Sequence, residues 1–382
     1  MKILAVVRRE IKEIFCQPKL LTFIFGAPIL YTLLFGLLYV NNVVKDIPTV
    51  IYDESQTQLS RSLANSFEDS EKYRIVGYVS SQEETEEYLK EKKAITAIII
   101  PEEFSRNLKK GLSSQALVMV DGSNLVFANT IIASANEIIQ TFAAGVSVKS
   151  LEGIGQLPEV AKNKGVPLQL RLRVFHNPTL NYTNFMLLGL VVAVVQQGML
   201  LTVALSMVRE KGRMEELKDF SAVTVILGKG LLYWLLGSIS LGIVILITHL
   251  IFGIPFRGGL ASLLALGGVF TLAITFLGIV FSSICSDDLT ATQYSMLFAM
   301  PSFLYSGFTW PIESMSEAGK IIAAFSPLNY IVNDLRDLAL GGYAPLLYRD
   351  IKILFTASVV LFLISLLVFA AKRKKENQLA AS

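Results

Sequence analysis

Two kinds of residue pattern alternate along this chain and divide it sharply. Residues 1–19 (MKILAVVRREIKEIFCQPK) place Ile3, Val6, Val7 and Ile14 at roughly helical spacing among Lys2, Arg8, Arg9, Lys12 and Lys19. That spacing predicts an amphipathic helix lying in a membrane interface and ended by Pro18. An apolar run over 20–40 follows, matching the roughly 20 residues a bilayer core requires. Pro28 inside it predicts a kink, since membrane helices tolerate proline. The run is too long for a cleaved leader and no small-x-small site follows, so an uncleaved anchor is expected.

From Asp46 the pattern shortens and becomes polar. Residues 47–52, 73–79, 94–100 and 116–120 are β-rich runs, whereas 55–70, 81–92 and 101–111 carry helical patterns. Ser81 followed by Glu84 reads as a capping box, and Pro101 suits a first helical position. Strands alternating with helices imply a small α/β domain, placed at 45–180. Within it a D-G-S-N turn at 121–124 precedes a helix over 125–151. Residues 153–167 read as a loop, and 169–175 alternates as a returning strand.

After Asn177-Pro178 the membrane pattern resumes, with spans expected at 185–207, 227–252, 260–284, 292–305 and 351–371. The fold class is therefore a polytopic α-helical membrane protein of about six spans, with the α/β domain inserted between the first and second. Two prolines and a glycine in PSFLYSGFTWP, residues 301–311, should break the fifth span and open an irregular outer segment over 306–345. Residues 317–343, divided by Pro327, read as two short half-helices at the outer leaflet. The glycines of the fourth span and its approach (Gly258, Gly259, Gly267, Gly268, Gly278) suit close packing that can slide.

Composition agrees: 53% of the 382 residues are hydrophobic and 17% are charged, less charge than a soluble chain of this length carries. The net charge of +3 gives no support for a nucleic-acid partner. The placement of lysine and arginine says more. The amino-terminal segment, residues 209–229 and the tail 372–382 are basic, which puts both termini in the cytoplasm and residues 45–180 outside an inner membrane. The stretch 286–290 falls on the cytoplasmic side without a basic residue. Cys16 and Cys285 offer the α/β domain no disulfide and read as small buried thiols.

Candidate chemistry concentrates between the second and third spans. Arg209, Glu210, Lys211, Gly212, Arg213, Met214, Glu215, Glu216, Leu217 and Lys218 form a short run of mixed charge, with Gly228-Lys229 opening the next span. Such a run is either a solvated connector or a helix that docks in a groove of a cytoplasmic partner, where mixed charges set orientation and specificity.

At these residues the chain resembles the type-2 ABC exporter permeases, whose loop reads R-E-x-G-T-x-E-x-L, then a proline, then G-K. Arg213 stands where threonine is usual, and Phe220-Ser221 where the proline is expected. Further matches run in order along the whole chain: 100–104 (IPEEF), 120–124 (VDGSN), Asn177-Pro178, Ser306-Gly307, 311–315 (PIESM), 326–328 (SPL) and Arg336. The resemblance implies that the amino-terminal helix, with Arg8 and Arg9, joins the 209–218 loop and Lys229 in contacting a nucleotide-binding ATPase subunit. It also implies two permease chains, identical or paralogous, around a pathway built from the second and fifth spans. Gln196, Gln197, Ser306 and Gly307 are the candidate pathway residues. Amides in hydrocarbon need partners, so interhelical hydrogen bonding is an equally good reading of the glutamines.

Absences shape the rest. No G-x-x-x-x-G-K-[ST] occurs, so ATP and its magnesium are assigned to a partner subunit and no cofactor to this chain. Neither H-E-x-x-H nor G-x-S-x-G is present, which disfavours a membrane enzyme acting on lipid. His176 and His249 stand apart, Asp121 and Asn124 are explained by their turn, and Glu83, Glu84, Glu86 and Glu87 read as a solvated helix face. The spans hold almost no ionisable side chains, which argues for externally powered motion over ion coupling. The expected function is the permease subunit of an ABC exporter moving an amphipathic or hydrophobic cargo. The competing reading is an envelope scaffold or secretion-apparatus component whose outer domain binds proteins.

Overall fold

The computed structural model describes residues 2–40, 44–153, 155, 157, 160, 174–209, 220–285 and 287–381. The chain divides into two compact units, one formed by Met1–Asn42 with Val174–Ser382 and the other by Val43–Arg173. The first unit begins with helix α1 (Lys2–Cys16), whose buried residues Val6, Glu10 and Ile14 recur every fourth position and so share one face. Cys16, expected to be buried, is exposed. It lies two residues past the end of that stripe, on the far side of the helix. Gln17 interrupts the chain and Pro18 opens α2 (Pro18–Leu38). The kink expected at Pro28 takes the form of a π turn over Thr22–Gly26, in which the Ala27 amide donates to the Thr22 carbonyl. Pro28 has no amide to give, and the wider turn absorbs the mismatch.

The second unit runs β1 (Ile47–Asp53), α3 (Gln58–Glu68), β2 (Tyr73–Val79), α4 (Gln82–Lys90), β3 (Thr96–Ile100), α5 (Phe104–Lys109), β4 (Leu117–Val120) and α6 (Leu125–Gly153). The strands form one sheet in the order β2-β1-β3-β4, with β1 parallel to β2 and β3, and β4 antiparallel to β3. All five residues of β3 are buried, as expected for a central strand covered on both faces. Ile47, Ile51, Leu63, Phe67, Ile98 and Ile131 meet in the core. The Tyr73 hydroxyl donates to the Ile131 carbonyl (3.0 Å) and lies 2.6 Å from Ser134 Oγ, fixing α6 to the sheet.

Local starts differ from the sequence expectations in two places. Ser81 Oγ accepts the Glu84 amide, but the Glu84 carboxylate reaches back to the amide of Ser80 instead of closing a box on Ser81. Helix α5 begins at Phe104, not Pro101, because the Ile100 carbonyl is still held by the Glu54 amide and the chain must turn first. Val174 and Phe175 form no strand, and the remainder of the return strand expected at 169–175 lies outside the described residues.

The first unit resumes with α7 (Tyr182–Val208), α8 (Ala222–Leu250), α9 (Leu260–Ile284), α10 (Asp288–Leu304), α11 (Glu317–Ala324), α12 (Asn329–Gly341) and α13 (Leu347–Ala381). Asn181, Ser221 and Asp287 cap α7, α8 and α10 through side-chain oxygens that accept first-turn amides. Helix α7 is the axis of the packing, buried along most of Leu187–Val208. Six helices among the described residues are long and apolar enough to cross a membrane: α2, α6, α7, α8, Leu260–Ser282 of α9, and Leu347–Ala371 of α13. The set differs from the sequence expectation. Helix α10 has only 17 residues; it runs through Pro301 and ends at Leu304, where the chain turns at Tyr305–Gly307. Helix α6 enters the set by length and composition, although it places Ile131 and Ala135 against the sheet of its own unit.

Candidate functional site

One end of the helical unit gathers α1, the end of α7 and the starts of α8 and α10. Helix α1 lies along the first turns of α8, and Gly228 makes the close approach possible: a Cβ there would sit 2.9 Å from Cβ and Cγ1 of Val6. Beside this contact Lys229 Nζ lies 2.7 Å from Glu10 Oε2, with both side chains almost wholly removed from solvent. The Tyr233 hydroxyl, one turn on, donates to Glu10 Oε1 at 2.7 Å, and Lys229 also reaches the Ser206 carbonyl of α7 at 3.5 Å. Lys229, expected on a contact surface for a partner, is therefore an internal residue. The span packs its entrance against α1, so a side chain two turns inside it has no route to the surface. Arg209 Nη2 and Nε contact Asp288 Oδ2 at 2.9 and 3.2 Å, tying the end of α7 to the start of α10. Arg373 Nη1 donates to the Phe220 carbonyl at 2.7 Å, drawing α13 to the same end.

Of the other residues expected to meet an ATPase subunit, Arg8 is exposed, while Arg9 is half-buried and pairs with Glu13 at 3.4 Å. Glu210, Gly212, Arg213, Glu215, Glu216, Leu217 and Lys218 lie outside the described residues. Glu10 was missed by the sequence reading. Its signal was a carboxylate four residues from Val6 and four from Ile14, inside an apolar stripe, with a lysine of opposite charge just inside a span.

The candidate pathway residues separate. Gln197 lines an open cavity of about 520 Å³ bounded by α2, α7 and α10. Its walls include Phe23, Tyr31 and Phe35 of α2, and Met296, Met300 and Phe303 of α10. Gln196, one residue earlier, is turned about 100° away on the helix and is fully buried. Its Nε2 donates to Ser302 Oγ at 3.0 Å, and Ser302 in turn bonds Ser326, so one chain of polar groups joins α7, α10 and the approach to α12. Ser306 is also buried, with Oγ donating to the Phe303 carbonyl at 2.7 Å. Gly307 adopts φ +75°, and a side chain there would meet Ile312 and Asn333, so this pair forms the turn that ends α10.

Beyond that turn Arg336 of α12 sets its guanidinium 5.4 Å from the Phe185 ring and 4.9 Å from the Phe308 ring, which stack on each other at 11°. The neighbouring Asp334 is 4% exposed, and its Oδ2 has no hydrogen-bond partner among the described residues. Burial, reinforced by the charges of Asp350 on α13 and Asp337 on α12 and opposed by Arg349, raises its pKa from the ordinary 3.8 to about 7. The folded protein thus holds a proton that the unfolded chain has released over this window, so stability falls as pH rises from about 4 to about 7. Asp334→Asn should flatten that fall and raise the melting temperature at pH 8 in lipid nanodiscs. A wild-type melting temperature that climbs between pH 5 and 8, with the variant tracking it, would contradict this account.

In the second unit a cleft of about 590 Å³ opens where β1 and β2 end, lined by Tyr52, Asp53, Glu54, Tyr78, Glu84 and Glu102. No group of three or more His, Cys, Asp or Glu side chains among the described residues could hold a metal ion.

Comparison with known proteins places these features in a family context. Residues 18–367 match the family model described as ABC-2 family transporter protein. The chain is 24% identical over 339 residues to the "Probable multidrug ABC transporter permease YbhR" of Escherichia coli K12, covering 88% of this chain and 89% of that one. It is 25% identical over 276 residues to the "Probable multidrug ABC transporter permease YbhS" of the same organism, covering 70% of each. The "Linearmycin resistance permease protein LnrN" of Bacillus subtilis is 24% identical over 369 residues, covering 89% of this chain and 92% of the relative.

Proposed function

The chain belongs to the ABC-2 transporter family, and from that premise we propose that it is the permease half of an exporter driven by a separate ATPase. Both termini lie in the cytoplasm, the Val43–Arg173 unit lies outside an inner membrane, and the bundle of spans carries the cargo. The observation that carries the reading is the cavity of α2, α7 and α10. Its lining is apolar apart from the Gln197 amide and the Tyr31 hydroxyl, so it favours an amphipathic or hydrophobic molecule drawn from the inner leaflet over an ion. Relatives named for multidrug transport and linearmycin resistance support the same cargo class. Leu30, Leu34, Leu297 and Met300 stand exposed on α2 and α10. A second permease chain, identical or paralogous, covers these edges and closes the pathway.

Power arrives from nucleotide-binding subunits that hold ATP and magnesium and press on α1 and the 209–218 loop. The test is a pull-down of the tagged chain from its native membrane, with partner identification and an ATP-hydrolysis assay. A nucleotide-binding subunit should copurify, and reversing charge with Glu215→Lys and Glu216→Lys should lower its recovery about tenfold or more while the chain stays folded. Undiminished recovery from the charge-reversed chain would remove the loop from the docking surface. Recovery of folded wild-type chain with no ATPase would remove the exporter reading itself.

A further inference from the structure

A buried ion pair is an unusual way to join two helices. Desolvating both charges offsets most of their attraction, and an apolar pair of similar size would hold the helices about as well. What such a pair does supply is a single alignment. Apolar surfaces can slide or roll by a residue at little cost, whereas two opposite charges in apolar surroundings meet in one register only.

The geometry around Glu10 fits that purpose. On α1 it takes the middle position of the buried stripe Val6-Glu10-Ile14, and on α8 the facing residues Val225, Gly228, Lys229, Leu232 and Tyr233 recur at the three- and four-residue spacing of one helix face. Each oxygen of the carboxylate has its own donor, Lys229 on Oε2 and Tyr233 on Oε1. Rotation of α1 by one residue, about 100°, would break both bonds and carry the Glu10 carboxylate away from the lysine. The missing Cβ of Gly228 brings the two backbones together at the same level, so an axial shift would drive α8 side chains into Val6.

We propose that Glu10, Lys229 and Tyr233 lock α1 to the third span, so that the two helices move as one rigid lever during transport. Force received by the exposed face of α1 is then delivered directly to α8, with no intervening loop. Glu10, Lys229 and Tyr233 act as positioning residues, since none of them lines the cavity of α2, α7 and α10. The inference rests on the exporter reading for its source of force but not for the lock itself.

Two measurements separate these parts. Spin labels are placed at the native Cys16 and at Val223→Cys, both exposed, in a Cys285→Ser background, and their distance is measured by pulsed electron resonance. In nanodiscs without any partner the chain should give one narrow distance. The double variant Glu10→Gln/Lys229→Met, which leaves no unpaired charge, should widen that distribution about twofold or split it. Inverting the pair with Glu10→Lys/Lys229→Glu should restore the narrow distance. A double variant as narrow as wild type would overturn the lock. In the assembled transporter the Cys16–Val223 distance should stay fixed between nucleotide-free and vanadate-trapped states while Cys16 to Leu289→Cys on α10 shifts. A Cys16–Val223 distance that changes with nucleotide would refute the lever. If no ATPase assembles, the exporter reading fails and the nanodisc measurement still decides the lock.

Discussion

Replacing Lys229 by methionine with Glu10 left in place is expected to destabilise the helical unit by about 3–5 kcal/mol, the usual cost of stranding one member of a buried ion pair. The wild-type Glu10 side chain is only 2% exposed, so without the lysine its charge keeps the Tyr233 hydroxyl as a hydrogen-bond donor but loses its counter-charge. It cannot recover water unless α1 lifts away. Melting in nanodiscs, followed by tryptophan fluorescence or calorimetry, should show a large drop for Lys229→Met. A much smaller drop is expected for Glu10→Gln/Lys229→Met, where no charge is left to bury. Equal losses in the single and double variants would mean that the pair contributes packing alone. The contrast separates energetic from positional roles: the double variant should regain stability without regaining a single α1 alignment.

Gly198→Ala is the second large effect. A Cβ at this position would lie 2.3 Å from the Phe23 carbonyl oxygen, a backbone atom in the π turn of α2. Neither side can yield through a rotamer change, so α2 and α7 must separate, with a cost of about 1–3 kcal/mol or more from overpacking. Because Phe23 and Gly198 both line the cavity, the separation would also deform the proposed pathway and reduce export. Gly237→Ala is the control. There the nearest atoms, at 2.2 and 2.4 Å, are Cε and Sδ of Met199, a flexible side chain that can swing aside. Its expected cost is under about 1.5 kcal/mol, as for a small volume change that neighbours absorb. Melting temperatures that reverse this order would show that the π turn moves more readily than the methionine.

Much of this architecture was legible because the two folding environments write different periods. The apolar runs of α2, α7, α8, α9 and α13 needed only their length, and the β1 and β3 segments only their Val/Ile content between turn residues. The broken segment after Pro301 was legible in its prolines and glycine, whereas the caps Asn181, Ser221 and Asp287 start their helices several residues ahead of the expected spans. Helix α6 shows the limit of that approach. Its apolar composition meets a span criterion, yet its packing against the sheet in its own unit depends on Tyr73, Ile131 and Ser134 meeting across a sequence separation of about 60 residues.

The candidate site divides in the same way. Sequence determined that the chain is a multi-span membrane protein with an inserted α/β unit, and that mixed charge gathers between the second and third spans. Those properties are local or additive, fixed by residue type and spacing along one element. Tertiary structure decided which polar residues face what. Gln196 and Gln197 are adjacent and chemically identical, yet one is sealed against Ser302 and the other borders the cavity, because neighbouring residues on a helix point about 100° apart. Lys229 reads as a surface charge in the sequence alone, whereas α1 covers it with Glu10, more than 200 positions earlier in the chain. A pairing at that separation leaves no periodic trace in either helix and exists only once the two faces are packed together.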